Sequence, residues 1–157
     1  MKEIKLTRGK ATIVDDADYD WLSRWKWRAC KSHHTWYAVR TTSRKKGKRT
    51  LIAMHREILQ PPSGFETDHK DGDGLNNRRN NLRCATTAQN HQNGRPRKGT
   101  SKFKGVSWHW GAAKWRARIK MKGRETLLGY FDSETEAAQA YDAAAKEYFG
   151  EFAHTNF

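Results

Sequence analysis

Cysteine is nearly absent from this 157-residue chain: Cys30 and Cys84 are the only two, and no CxxC pair occurs. A zinc knuckle or ribbon built on thiolates is therefore excluded. One disulfide is the most the pair could form, and both read instead as small buried thiols. Long apolar runs are missing too. No window approaches the ~20 residues that a spanning helix needs, and the opening MKEIKLTRGK has no apolar run of a signal peptide. The chain is expected to stay in the cytoplasm, unsecreted. Apolar residues make up 36%, below the roughly 45–50% of globular proteins, so any core is small or split. Acids are the last shortage: Asp plus Glu number 17 against 31 Lys plus Arg, a net charge of +14. Such a surface repels itself unless a polyanion is its usual neighbour. Nucleic acid fits, because neutralising phosphates releases condensed counterions, and aromatic residues are interleaved with the charge.

What is present falls into an ordered series of short elements. Ala11 to Val14 has a strand pattern. Asp15, Asp16 and Asp18 then precede Tyr19, Trp21, Leu22 and Trp25, which suits a short helix with acids in its first turn. Trp25 to Ala29 and Thr35 to Thr41 alternate as strands around a polar turn with His33 and His34. Arg44, Lys45, Lys46, Lys48 and Arg49 form a basic loop suited to phosphate. Leu51 to Leu59 passes from a strand to a helical turn that Pro61-Pro62 stops. His55-Arg56-Glu57 matches the HxE of zinc deaminases, but the partner PCxxC is absent, so His55 is assigned to structural support.

Phe65 to Asn93 carries the chemistry. Asp68 and His69 sit on what reads as a strand end, and Asp71, Gly72, Asp73, Gly74 and four asparagines make a turn-rich middle. A short helical pattern then holds Asn90 and His91. The stretch reads as too polar for a core. Its Asp, His and Asn side chains suit a hard divalent cation with a water to be deprotonated beside it. Asp71 and Asp73 look like the start of a calcium loop, but no bidentate acid follows at the required distance. Gly94 to Thr100, GRPRKGT, has nothing to bury and reads as a basic linker, with Arg97 and Lys98 lying on nucleic-acid backbone.

Beyond it, Phe103 to His109, Lys114 to Met121 and Arg124 to Phe131 read as three strands. The middle one alternates Trp115, Ala117 and Ile119 against Lys114, Arg116, Arg118 and Lys120. A sheet with one greasy and one basic face needs a helix on the first. That helix follows, opened by the Ser133-x-x-Glu136 capping box and stopped at Gly150. Ala137, Ala140, Tyr141, Ala144, Ala145 and Tyr148 recur along it at helical spacing. The basic face, with Arg124 at its edge, is left for phosphates.

Two family resemblances cover most of the chain. Met54-His55-Arg56, Asp68-His69, Asn76-Asn77, Asn80-Asn81-Leu82-Arg83 and Asn90 resemble the His-Asn-His (HNH) nucleases of the phage and intron homing type. Gly105-Val106, Trp115-Arg116-Ala117, Leu128-Gly129-x-Phe131, Glu136-Ala137-Ala138-x-Ala140-Tyr141-Asp142 and Asn156-Phe157 resemble the plant ethylene-response-factor (APETALA-type) DNA-binding domain. Ser107, His109 and Leu127 stand where that family often has arginines and a tryptophan, so no target sequence carries over.

The resemblances imply an α+β chain in four parts. Residues 1–50 would be a strand-rich region, 51–93 a ββα-metal nuclease module, 94–100 the linker, and 101–157 a three-stranded antiparallel sheet packed on one helix. They imply a homing-type DNA endonuclease, with Asp68 and Asn90 as ligands of a single metal, or His91 in place of Asn90. Mg²⁺ is the default for two oxygen ligands, and Mn²⁺ should substitute. His69 would be the general base, its other nitrogen donating to a backbone carbonyl, and Asn81 would tie the loop between the strands. Arg78, Arg79 and Arg83 are placed to clamp phosphate. Lys114, Arg116, Arg118, Lys120 and Arg124 would join Arg83, Arg97 and Lys98 on double-stranded DNA. No protein partner is implied, and the chain would act as a monomer or a homodimer. The alternative is a non-catalytic transcriptional regulator that keeps a nuclease scaffold.

Overall fold

The computed structural model describes every residue except 33, 34, 43–48, 97, 98 and 122. His33, His34, Arg44, Lys45, Lys46, Lys48, Arg97 and Lys98 thus lie outside the described residues. The chain divides into two units, Met1–Thr87 and Ala88–Phe157.

In the first unit, β1 (Lys2–Lys5) pairs antiparallel with β2 (Ala11–Val14). Arg8 and Gly9, both at positive φ, make the turn between them. No alternation or turn signal in residues 2–5 marks β1 as a strand. Thr12 and Val14 of β2 are fully buried, while Ile13 lies outside. Helix α1 (Asp16–Leu22) follows, with Asp16 and Asp18 in its first turn as the helix dipole favours.

Strands β3 (Arg28–Ser32), β4 (Thr35–Thr41) and β5 (Leu51–Ala53) form an antiparallel sheet in that order. The expected strand from Trp25 begins only at Arg28, because the tryptophans are used otherwise. Trp27 is buried and donates its indole N–H to Leu22 O at 2.8 Å. Trp25 is exposed, with the Arg40 guanidinium 4.2 Å from its ring centre.

β5 runs directly into α2 (Met54–Leu59), which ends at Gln60 in a left-handed conformation just before the two prolines. β6 (Glu66–His69) and β7 (Leu82–Ala85) then form a two-stranded hairpin. α3 (Thr87–Gln92) begins where the two units divide. The core gathers Ile4, Val14, Leu22, Trp27, Met54 and Leu82 from six different elements or their flanks.

The second unit has β8 (Val106–His109), β9 (Lys114–Met121) and β10 (Arg124–Phe131), with β9 central and antiparallel to both. Helix α4 (Glu134–Phe149) packs on one face. Ser133 caps it by accepting Thr135 N–H, and Gly150 ends it at φ 52°. Val106 and Ala117 meet Ala137 and Ala138 in one cluster, and Ile119 meets Tyr141, Ala144 and Ala145 in another. Gly105, at φ 77°, runs so close to α4 that an added Cβ would fall 2.0 Å from the Tyr141 ring.

The fold is mixed helix and sheet, with four small antiparallel sheets among the described residues. No described helix is long and apolar enough to cross a membrane. Both cysteines are free; Cys30 is half-buried and Cys84 exposed, so neither is the buried thiol expected of it. Cys30 follows the buried Ala29 on β3 and so faces the other side of its sheet.

Candidate active site

The β6–β7 hairpin places Asp68 and His69 side by side, each 5% exposed. Neighbours on a strand project to opposite sides, and the two find different surroundings. Asp68 faces Arg83 across the ladder, and Arg83 Nε and Nη2 reach Asp68 Oδ2 at 2.8 and 2.7 Å. The His69 ring lies edge-on to His55, centroids 5.0 Å apart, and 5.8 Å from Tyr37. His69 Nε2 is 3.2 Å from the side-chain oxygen of Asn77. The expected partner was a backbone carbonyl; a side-chain amide fills that position.

The loop from Lys70 to Asn81 is held by its own polar side chains. Asp71 Oδ1 accepts Asp73 N–H and Asn81 Nδ2, both at 2.9 Å, and its Oδ2 accepts Asn76 Nδ2 at 2.6 Å. Asn81 also donates to Asn76 O at 2.8 Å and accepts Asp71 N–H at 3.2 Å, so its amide spans the loop from both sides. Burial pushes the Asp71 carboxyl up, but the bonds from Asp73, Asn76 and Asn81 outweigh it and hold the group below the usual aspartate value.

The expectation that this stretch is too polar for a core fails here. Thr67, Asp68, His69, Asn76, Asn77, Asn81 and Arg83 are all at most 9% exposed. They are buried because they mostly satisfy one another, the condition under which burial of polar groups is tolerable.

The arginines are committed within the fold. Arg79 places Nε and Nη2 at 2.7 and 2.8 Å from the buried Asp18 carboxylate, and its N–H on Asp15. That makes it a tie between the loop and α1. Arg78 donates to Asn76 at 2.8 Å, and Arg83 holds Asp68. His55 packs against His69, but its Nδ1 is buried and meets no hydrogen-bonding group among the described residues. It supports the site by packing. Asn90 lies half-buried on α3 and His91 is exposed there, both beyond the division into units.

Burial is also the main cause of the histidine shifts. His69 is pushed below its usual value, against the pull of Asn77, Asp71, Asp68 and Asp73, so it is neutral at physiological pH. His55 is pushed down to about 3 by burial, then by His69 and Arg56. Its folded pKa lies below its unfolded 6.5, so the unfolded chain binds the proton more readily. Stability from this group is complete above pH 6.5 and falls as pH drops toward 3, by up to about 1.4 kcal/mol per pH unit. Urea melts of the full chain should show a lower midpoint at pH 5 than at pH 7. His55→Phe should flatten that dependence, and an unchanged slope would assign it elsewhere.

In the second unit, the outer sheet face carries the basic residues of β9. It is less uniformly free than the sequence implies. Arg118 is ion-paired with Glu125, two positions along β10 from its ladder partner Leu127, and Lys114 Nζ lies 3.0 Å from Asp132 Oδ1. Lys120 and Arg124 are exposed. Arg116 Nε is buried without a hydrogen-bond partner among the described residues. Tyr130 stacks edge-on against His109 at 5.2 Å, and Trp110, 81% exposed, stands at the tip of the β8–β9 turn.

Sequence reasoning missed two residues of the site. Asn77 was read as a turn former, although it is fully buried against His69. Tyr37 gave no signal, being one aromatic among several in a strand.

A family model described as HNH endonuclease matches residues 60–92. An uncharacterized HNH endonuclease of Acanthamoeba polyphaga mimivirus is 33% identical over 159 residues, covering 96% of this chain and 78% of that protein. Protein 3.8 of Escherichia phage T7 is 33% identical over 93 residues, 59% of this chain and 76% of that protein. APETALA2-like protein 2 of Oryza sativa subsp. indica is 47% identical over 62 residues, 38% of this chain and 14% of that protein. The family match and the similarity along 96% of the chain support a nuclease. The chain belongs to the HNH endonuclease family.

Proposed function

We propose that the protein is a homing-type DNA endonuclease that hydrolyses phosphodiester bonds with one divalent cation. In this reading residues 51–93 are a ββα-metal nuclease module, and residues 101–157 are an ethylene-response-factor-type domain that holds double-stranded DNA, joined by the basic linker 94–100. The observation that carries the reading is the buried Asp68-His69 pair, whose imidazole is kept neutral and held at Nε2.

Among the described residues no three His, Cys, Asp or Glu side chains gather as a cation cage. An ion here would have few protein ligands and would keep water and DNA oxygens, which is the habit of Mg²⁺. Asp68 and Asn90 offer the hard oxygen donors it prefers, and Mn²⁺ would substitute. When bound, the ion supplies charge relief at the phosphate and at the departing 3′ oxygen.

The chain's own residues do the rest. His69 takes a proton from the attacking water at Nδ1, the nitrogen not bonded to Asn77. Tyr37 and His55 pack the imidazole in place. Arg83 holds the Asp68 carboxylate in one orientation, and through that contact lies where phosphate would approach. Asn81 fixes the loop between the catalytic strands.

Supercoiled plasmid separates this reading from a non-catalytic regulator. Nicking in Mg²⁺ that stops in EDTA is the expected result; intact plasmid under both conditions would leave only the regulator. For the sheet face, Arg116→Ala should weaken DNA binding and lower the slope of log K against log salt by about 0.9. Arg118→Ala should do the same once Arg118 exchanges Glu125 for phosphate. An unchanged slope in both would move the DNA off this face.

A further inference from the structure

The imidazole of His69 is connected to a part of the chain far outside the nuclease stretch. Thr12, on β2, is fully buried, and its hydroxyl donates to the backbone carbonyl of Leu75 at 2.7 Å. A hydroxyl has one hydrogen, so what Thr12 presents elsewhere is a lone pair. That lone pair faces Asn77 Nδ2 at 2.7 Å, and the Gly74 carbonyl faces the same nitrogen at 3.5 Å. Both are acceptors, so the nitrogen end of the Asn77 amide must point toward them. The oxygen end is then turned to His69 Nε2.

An amide oxygen can only accept. The hydrogen of the neutral ring therefore sits on Nε2, and Nδ1 carries the lone pair. The two strands of this relay are themselves locked together: Ile13 N–H bonds Leu75 O at 2.9 Å and Asn77 N–H bonds Ile13 O at 2.8 Å.

We infer that Thr12 and Asn77 are positioning residues of the nuclease site, and that the relay from Leu75 O through Thr12 and Asn77 sets which nitrogen of His69 acts as the base. The N-terminal hairpin is thus part of the active-site machinery, 65 residues from the amide it orients. The inference rests on His69 being the general base of the proposed endonuclease, but its first test needs no activity.

Two-bond ¹⁵N–¹H correlation spectra of the full chain, labelled at histidine and recorded at pH 8, report the tautomer of each ring. His69 is assigned by its loss in His69→Ala. The wild-type ring should carry its proton on Nε2; a proton on Nδ1 overturns the relay whether or not the protein cleaves DNA.

Thr12→Val keeps the shape and removes the lone pair. It should let the amide turn over, raise the Nδ1–H population, and lower kcat about tenfold with KM nearly unchanged. Thr12→Ser, which keeps the hydroxyl, should restore both readouts. A folded Thr12→Val protein with the wild-type tautomer and kcat contradicts the inference, as does a Thr12→Ser protein no better than Thr12→Val. A wild-type protein with the expected tautomer but no cleavage of any DNA upholds the relay and removes the endonuclease reading instead.

Discussion

His69→Ala is expected to stop DNA cleavage while leaving DNA binding within a few-fold of wild type. In the proposed reading His69 is the general base, a role that contributes about 10²- to 10⁴-fold when the base is well positioned. Asp68→Ala should have an equal effect, because it removes the proposed cation ligand. The two variants differ in their effect on the fold. Truncating Asp68 strands Arg83, whose side chain is 9% exposed, without its counter-ion. That is the situation in which breaking a buried pair costs about 3–5 kcal/mol. Truncating His69 leaves the Asn77 amide oxygen short of a donor, at about 1–3 kcal/mol. Asp68→Asn, which keeps the shape, should therefore be more stable than Asp68→Ala and equally inactive. Either Asp68 variant cleaving at the wild-type rate in a clean preparation would end its assignment. Binding should survive because the basic sheet face belongs to the other unit.

A large effect on the stability of the second unit is expected at Asp142. Its carboxylate, 5% exposed, accepts Asn156 N–H at 2.8 Å, Asn156 Nδ2 at 2.9 Å and Phe157 N–H at 3.0 Å. Asn156 in turn brackets Lys104, accepting its N–H at 2.7 Å and donating to its carbonyl at 3.2 Å. The Phe157 ring then lies 5.2 Å from Phe103. One carboxylate on α4 thus fastens both the tail and the segment leading into β8. Asp142→Ala removes an ionised acceptor and leaves several donors to find water, at about 3 kcal/mol or more. For a unit of this size that is roughly 10–20 °C in the melting temperature. Calorimetry of the full chain should show that transition fall while the one belonging to the first unit stays. An unshifted transition would mean that the tail is not fastened through Asp142.

The parts of the fold legible in the sequence are those governed by local pattern. β9 and β10 run over the stretches their alternation marks out, and α4 starts at its cap and stops at its glycine, because these signals lie within a turn or two of the residues they control. What escaped was set by register and long-range partnership. Asp68 meets Arg83 only because the hairpin closes in one register across a long loop. Arg79 looked like a phosphate clamp until its contact with Asp18, 61 residues away, was visible. Asn77 has the composition of a turn residue, and its work depends on Thr12 and His69 arriving on opposite sides of one amide. For the same reason a stretch rich in Asp and Asn could be buried: hydropathy measures each side chain against water, not against its partners.

The proposed reading has Asp68 and Asn90 as ligands of one cation next to His69. Anomalous scattering from Mn²⁺ in crystals of the full chain bound to DNA tests it directly. The expected result is a single peak about 2.1 Å from an oxygen of each residue, with the Nδ1 face of His69 turned to a neighbouring water. A peak that touches neither side chain, or the two held on opposite faces of the molecule in a complex that still cleaves, would contradict it.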